Sequence, residues 1–278
     1  MSANLPVLGL SNKESTGTED EIGPTTFLEN LNSPPLEDHL SRYTLSPELE
    51  KLYAHPSEII AVATSHSGQY IASSCKAATP ANAVIRIFNT ETYAEIAILK
   101  GHGLTVTKLA WSQDDSFLVS VGRDRQWALY DTKTWTLKKA MPKAHARIIW
   151  DVSFSPLEFG IGFVTASRDK SVKVWGGGDS NCLATVKFPE AVTSCAFLYE
   201  LVGEMGVIAV GLENGAVHIL GCEKAKDHWR VLSTFSERDT PSEAVTALEW
   251  RPGGGNGRYE LATSSDDCSV RIYEIRVA

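Results

Sequence analysis

Two constellations of histidine, aspartate and hydroxyl occupy matching places in this chain: His102, Ser120 and Asp124, then His145, Thr165 and Asp169. A hydroxyl, an imidazole and a carboxylate within hydrogen-bond reach could make an activated nucleophile of the hydrolase type. The spacing argues for a different chemistry. In both sets the hydroxyl lies four residues before the Asp, and an aromatic, Tyr130 or Trp175, lies six after it. Thr263, Asp267 and Tyr273 repeat those offsets without a His. A catalytic site occurs once, whereas a network that recurs at fixed offsets belongs to a repeated structural unit. Hydroxyl, carboxylate, imidazole and a phenol or indole can form one buried chain of hydrogen bonds. Such a staple ties a strand to the loop entering its sheet, and it stabilises only when every member is satisfied.

The unit that carries the staple is four-stranded. Val106, Ile149, Val192 and Val245 are each followed five residues later by an aromatic (Trp111, Phe154, Phe197 and Trp250), and Ile59 starts a weaker copy with Thr64 in that slot. The anchors are 43 to 53 residues apart, close to the blade length of about 40 to 45 residues in WD-repeat propellers. Inside each interval, short runs rich in Val, Ile and aromatics alternate with polar residues and end at Gly, Asp or Asn, as half-buried antiparallel strands require. The expected fold is all-β: a WD-repeat β-propeller with about five recognisable four-stranded blades, part of a seven-bladed ring.

The interval from residue 149 is cut into strands Ile149 to Ser155, Phe163 to Ser167, Ser171 to Trp175 and Leu183 to Phe188. The first interval keeps His55 and Phe88 but loses the Asp to an insertion around Thr79 to Ala83, and the fourth shows only the apolar pattern. The last ends on a third strand, Ser269 to Ile275, so Glu48 to Tyr53 is expected to supply the strand that closes the ring.

Composition fits a folded domain: 278 residues, 43% hydrophobic, with mean hydropathy −0.12. The opening MSANLPVLGLS has neither a basic segment nor a long apolar core, and no apolar run nears the roughly 18 residues of a spanning helix. An intracellular location is expected, cytoplasmic and also nuclear. The five cysteines are scattered and show no metal-ligand spacing, and no GxxxxGK[ST] phosphate loop occurs. Neither a metal nor a cofactor nor enzymatic activity is expected.

Residues 11–42 are acidic and Pro-containing, with a balance of −5 of the chain's −8, and read as a linker or insertion. Residues 1–10, with the apolar run Leu5 to Leu10, read as the end of a blade whose beginning is absent, and residues 43–278 as the propeller blades. A truncated propeller with unpaired sheet edges is the expectation.

Repeat geometry also predicts a charged face. The turn holding the staple Asp and the loop holding its His open on one side of a propeller, and Arg123, Arg125, Arg147, Arg168 and Lys170 flank them on adjacent blades. Two readings stand side by side. The cluster is a landing patch for RNA phosphates or an acidic partner, since Arg pairs bidentately with both, or each cation pairs with an acid on the next blade. Trp127 and Trp150 could add stacking surface, though a packing role weighs more for each.

PVLGLSNK (6–13), PPLEDHL (34–40), LEKLYAHPSEI (49–59), AVIRIF (83–88), SVGRDRQWALY (120–130), HARIIWDVSFSP (145–156) and TASRDKSVKVW (165–175) carry a specific resemblance. Over nearly the whole chain the sequence resembles the C-terminal propeller of the Elongator subunit two family. It departs from that pattern at Ala54, where a Gly is usual. The resemblance implies a non-catalytic scaffold that holds the catalytic and largest Elongator subunits together and so supports wobble-uridine modification of tRNA, with weak or indirect tRNA contact and no membrane contact. The alternative is another WD-repeat adaptor, in signalling or a ubiquitin ligase, reading acidic or phosphorylated peptides.

Overall fold

The structure, a computed structural model, describes residues 50–160, 162–176, 181–223, 228–253 and 257–276. The expectations for residues 1–10 and 11–42 lie outside them. Among the described residues, nineteen strands form five antiparallel sheets in chain order. The first blade holds β1 (Ile59–Thr64), β2 (Tyr70–Cys75), β3 (Ile85–Asn89) and β4 (Glu95–Leu99), and the second holds β5 (Val106–Trp111), β6 (Phe117–Gly122), β7 (Trp127–Asp131) and β8 (Thr136–Met141). The third comprises β9 (Ile149–Phe154), β10 (Gly162–Ser167), β11 (Ser171–Gly176) and β12 (Cys182–Lys187), within one or two residues of the strands expected there. The fourth has β13 (Val192–Phe197), β14 (Met205–Leu212), β15 (Val217–Glu223) and β16 (Arg230–Thr234); the fifth has β17 (Val245–Trp250), β18 (Arg258–Ser265) and β19 (Val270–Arg276).

The fifth sheet has three strands among the described residues. Residues 50–53, the described part of the expected closing strand, are not in a strand. Tyr53 is 87% exposed, so the expected alternating burial does not develop there.

A bulge explains the five-residue spacing of anchor and aromatic. In an unbroken strand an odd spacing puts two side chains on opposite faces. In each of the five blades the first strand carries one extra residue just after its anchor: Ile60, Thr107, Trp150, Thr193 and Thr246. The bulge returns the aromatic to the anchor's face. Val106 and Trp111, Val192 and Phe197, and Val245 and Trp250 are accordingly all buried. The bulged residue faces outward, and so Trp150 is 38% exposed while Trp127 is fully buried between Phe163 and Trp175.

Hydrophobic cores lie between successive blades, one for each consecutive pair. The first strands of neighbouring blades pack side by side, β1 on β5, β5 on β9, β9 on β13 and β13 on β17. Together they surround a cavity of about 350 Å³. Side chains cross the seams as well. Asp115 accepts from the backbone N–H groups of His66 (2.8 Å) and Ser67 (2.7 Å), and Trp111 and Trp250 donate to the carbonyls of Ala63 and Ala196.

Candidate functional site

In the third blade the polar residues form a directed chain. Trp175 Nε1–H donates to Thr165 Oγ1 (2.9 Å), the hydroxyl lies 2.8 Å from His145 Nε2, and His145 Nδ1 lies 3.0 Å from Asp169 Oδ2. Burial lowers the pKa of His145 against the opposing pull of Asp169, so the ring is neutral at pH 7 and Nδ1 carries the proton. Asp169 also accepts from Ala146 N (2.9 Å) and Ser171 Oγ (2.5 Å). Burial pushes its carboxyl up, but these bonds and His145 outweigh burial and hold it well below the usual range.

The second blade repeats the arrangement. His102 Nε2 lies 2.7 Å from Ser120 Oγ, its Nδ1 lies 3.1 Å from Asp124 Oδ2, and Asp124 accepts from Gly103 N (2.8 Å) and Gln126 Nε2 (2.7 Å). Burial raises Asp124, and the bonds from His102, Gly103 and Gln126 lower it overall. Tyr130 sits behind, its phenol pushed by burial up to about 12 and its hydroxyl on Lys100 O at 3.4 Å. The Ser120 and Thr165 hydroxyls belong to residues with no exposure at all. A nucleophile must reach its substrate, and these cannot.

The fifth blade uses a different device. Tyr273 donates to Asp239 O (2.6 Å) rather than to Thr263, whose Oγ1 is buried without a partner. Arg271 takes the place of the absent His, lying 3.4 Å from Asp267 and donating to Asp239 O and Thr240 O. Asp267 accepts from Ser269 Oγ and N and from Ser242 N, and the Ser269 hydroxyl leads in holding its carboxyl at about 2. In the first blade His55 Nε2 meets Ser73 Oγ at 2.8 Å, and its Nδ1, with no Asp in place, is buried and unpaired.

Several contributors are invisible to a search for triads. Gln126 and Ser171 complete the carboxylate shells. Asn214 sits in the Asp slot of the fourth blade and accepts from Ala216 N at 3.2 Å. Gly122 is needed because a Cβ there would stand 2.9 Å from Thr105 O, 3.0 Å from Asp124 and 3.1 Å from His102. The residue after each turn acid is left-handed: Arg125 (φ 68°), Lys170 (φ 65°) and Cys268 (φ 64°), with Gly215 (φ 85°) after Asn214.

The basic residues flank these turns. Arg123, Arg125, Arg147 and Arg168 are exposed, and none forms an ion pair with a described residue. Their backbones are fixed: Arg123 N donates to Thr105 O, Arg168 N to Ile148 O, and His145 N to Arg125 O, joining the turn of one blade to the entry loop of the next. Lys170 is different, because its ammonium donates to Pro189 O (2.6 Å) and lies 3.3 Å from Glu190 of the fourth blade's entry loop. Lys170 is thus paired with the entry loop of the next blade, while the four arginines have no ion-pair partner among the described residues. Lys108 points into the central cavity instead, 3.7 Å from Asp151.

Five blades and their staples define a WD-repeat propeller protein. The family model "WD domain, G-beta repeat" matches residues 94–131, 135–176 and 229–274. Over 99% of its length the chain is 41% identical to Elongator complex protein 2 of Saccharomyces cerevisiae and 38% identical to that of Schizosaccharomyces pombe; over 98% it is 31% identical to that of Homo sapiens. The chain belongs to the Elongator complex protein 2 family and spans 37 to 39% of the length of these relatives.

Proposed function

We propose that this chain is a non-catalytic scaffold within an Elongator assembly, holding the catalytic and largest subunits together and so supporting modification of tRNA wobble uridines. The observation that carries the reading is similarity to Elongator complex protein 2 along 99% of the chain. The architecture supports it: stiff stapled turns present loops on a rigid frame, and the histidine, aspartate and hydroxyl sets are buried in that frame rather than open to a substrate. The four arginines, with no ion-pair partner among the described residues, form a face for a polyanion or acidic partner, either an RNA backbone or a neighbouring subunit. Cys75, Cys182, Cys195 and Cys268 are free thiols, which fits a reducing compartment, the cytoplasm with access to the nucleus. Among the described residues no helix is long and apolar enough to cross a membrane.

Affinity purification of the tagged chain from its own cells, with partners identified by mass spectrometry, tests the proposal. Recovery of the largest and catalytic Elongator subunits is expected. Recovery of ubiquitin-ligase or signalling components in their place would move the chain to the adaptor reading.

A further inference from the structure

The central cavity carries charge that the scaffold reading does not use. Lys108 on β5, Asp151 on β9 and Glu249 on β17 line it, with His66, Cys195 and Tyr199 beside them. Asp151 is well accommodated. Its side chain is only 10% exposed, one oxygen accepts from Cys195 N at 3.0 Å, the other from Val152 N at 2.9 Å, and Lys108 approaches that second oxygen to 3.7 Å. Glu249 has no such company. Its carboxyl accepts from the Tyr199 hydroxyl, and no described cation forms an ion pair with it. One ammonium faces two carboxylates, which leaves an excess of carboxylate between low-dielectric walls that concentrate its field.

The remaining features select the ligand class. Leu109, Ala110, Val152 and Leu248 supply apolar wall beside the charges. The volume of about 350 Å³ far exceeds the roughly 10 to 15 Å³ that one water needs by the same measure. A bare metal ion is poorly served, since Lys108 stands beside the carboxylates and no cluster of three metal-ligating side chains occurs among the described residues. A long side chain with an alkyl stem and a cationic head matches wall and charge together.

We propose that the channel receives the arginine or lysine side chain of a partner polypeptide, with Glu249 as the carboxylate that pairs with it. This site is opposite in charge to the arginine face and independent of which complex the chain joins. Burial and the nearby Asp151 raise the pKa of Glu249 while Lys108 lowers it, the behaviour of a carboxylate in need of a cation.

The test titrates the full chain with N-acetyl-arginine amide and, separately, its neutral isostere N-acetyl-citrulline amide, following backbone amide shifts by NMR. Saturable shifts centred on Lys108, Asp151, Cys195 and Glu249 are expected for the arginine amide, with the citrulline amide at least tenfold weaker. Glu249→Gln should weaken the arginine amide about tenfold, a loss of about 1.4 kcal/mol, and Lys108→Met should tighten it by removing the resident competitor. If one variant fails to fold, the other still decides. Equal responses to the two amides, shifts elsewhere on the surface, or unchanged affinity in a folded Glu249→Gln variant would overturn the proposal. So would saturation of the same amides by magnesium chloride, which would make the cavity a metal site.

Discussion

The indole N–H of Trp175 donates to the hydroxyl of Thr165 at 2.9 Å, and no equivalent bond joins Tyr273 to Thr263. Three staples that look alike as strings of residue types are therefore unequal in structure. Their energetic contributions should be unequal too.

Asp169→Ala is expected to destabilise the chain by about 1 to 3 kcal/mol, because it strands the buried His145 Nδ1–H and removes the acceptor for Ala146 N. Thr263→Val should cost under about 0.5 kcal/mol, since that hydroxyl has no partner to lose. Urea unfolding of the two variants checks the ranking, and equal costs would remove the distinction between the blades.

Stability should fall on mild acidification. The folded pKa of His145 lies below its unfolded value of 6.5, so the unfolded chain binds the proton first. Its contribution is complete above about pH 6.5 and is lost as pH drops towards the folded value, with a slope of at most about 1.4 kcal/mol per unit for one group. His55 and His218 are lowered in the same direction. Wild type and His145→Gln, unfolded in urea at pH 7.5 and 5.5, provide the comparison: the variant starts less stable but should lose less between the two.

A second acid limb is expected lower down. Asp124 and Asp169 have depressed folded values, as does Asp267 at about 2. Their stabilisation is present above the unfolded carboxylate pKa near 3.9 and disappears as pH falls through the folded values. In Asp124→Asn/Asp169→Asn the slope of thermal midpoint against pH between 4.5 and 3 should shrink; an undiminished slope would assign the limb to other carboxylates.

Gly122→Ala should destabilise by about 1 to 3 kcal/mol, its methyl pressed against Thr105 O, Asp124 and His102. Gly103→Ala meets nothing within 4 Å and should be nearly silent, although both glycines lie beside the same staple. Thermal melts of the pair separate local crowding from a general intolerance of the loop.

Replacing Arg123, Arg125, Arg147 and Arg168 with Gln together should abolish the salt-dependent part of polyanion binding without unfolding the blades, because none has an ion pair with a described residue to lose. Heparin or tRNA affinity measured from 50 to 200 mM salt gives the slope, which should flatten by several units of log–log slope. Lys170→Gln should instead act on stability, through its contacts with Pro189 and Glu190.

The two full staples were legible because their chemistry demands particular side chains at fixed offsets from one tight turn. The bulge was not: residues 106 and 111 read as an odd spacing in a period-2 pattern, and only the register shows that Thr107 is set aside. Arg271 was missed because it reaches the turn acid from within β19, whereas a search for the usual partner looks upstream for a His. The direction of Lys108 depended on the same bulge, since a one-residue offset decides whether a first-strand residue faces the next blade or the central cavity.

The matched sequence repeats begin on the outer strand of one blade and finish on the third strand of the next, as residues 94–131 run from β4 to β7 and residues 229–274 from β16 to β19. The stretch of chain that is copied is thus out of phase with the sheet that folds. Inserting or deleting one copy in such an array hands an outer strand forward and receives one from behind, so every sheet except those at the ends keeps its complement. Growth by duplication is then tolerated at each step, and each added sheet is fastened to its predecessor by covalent chain before a single side chain has packed.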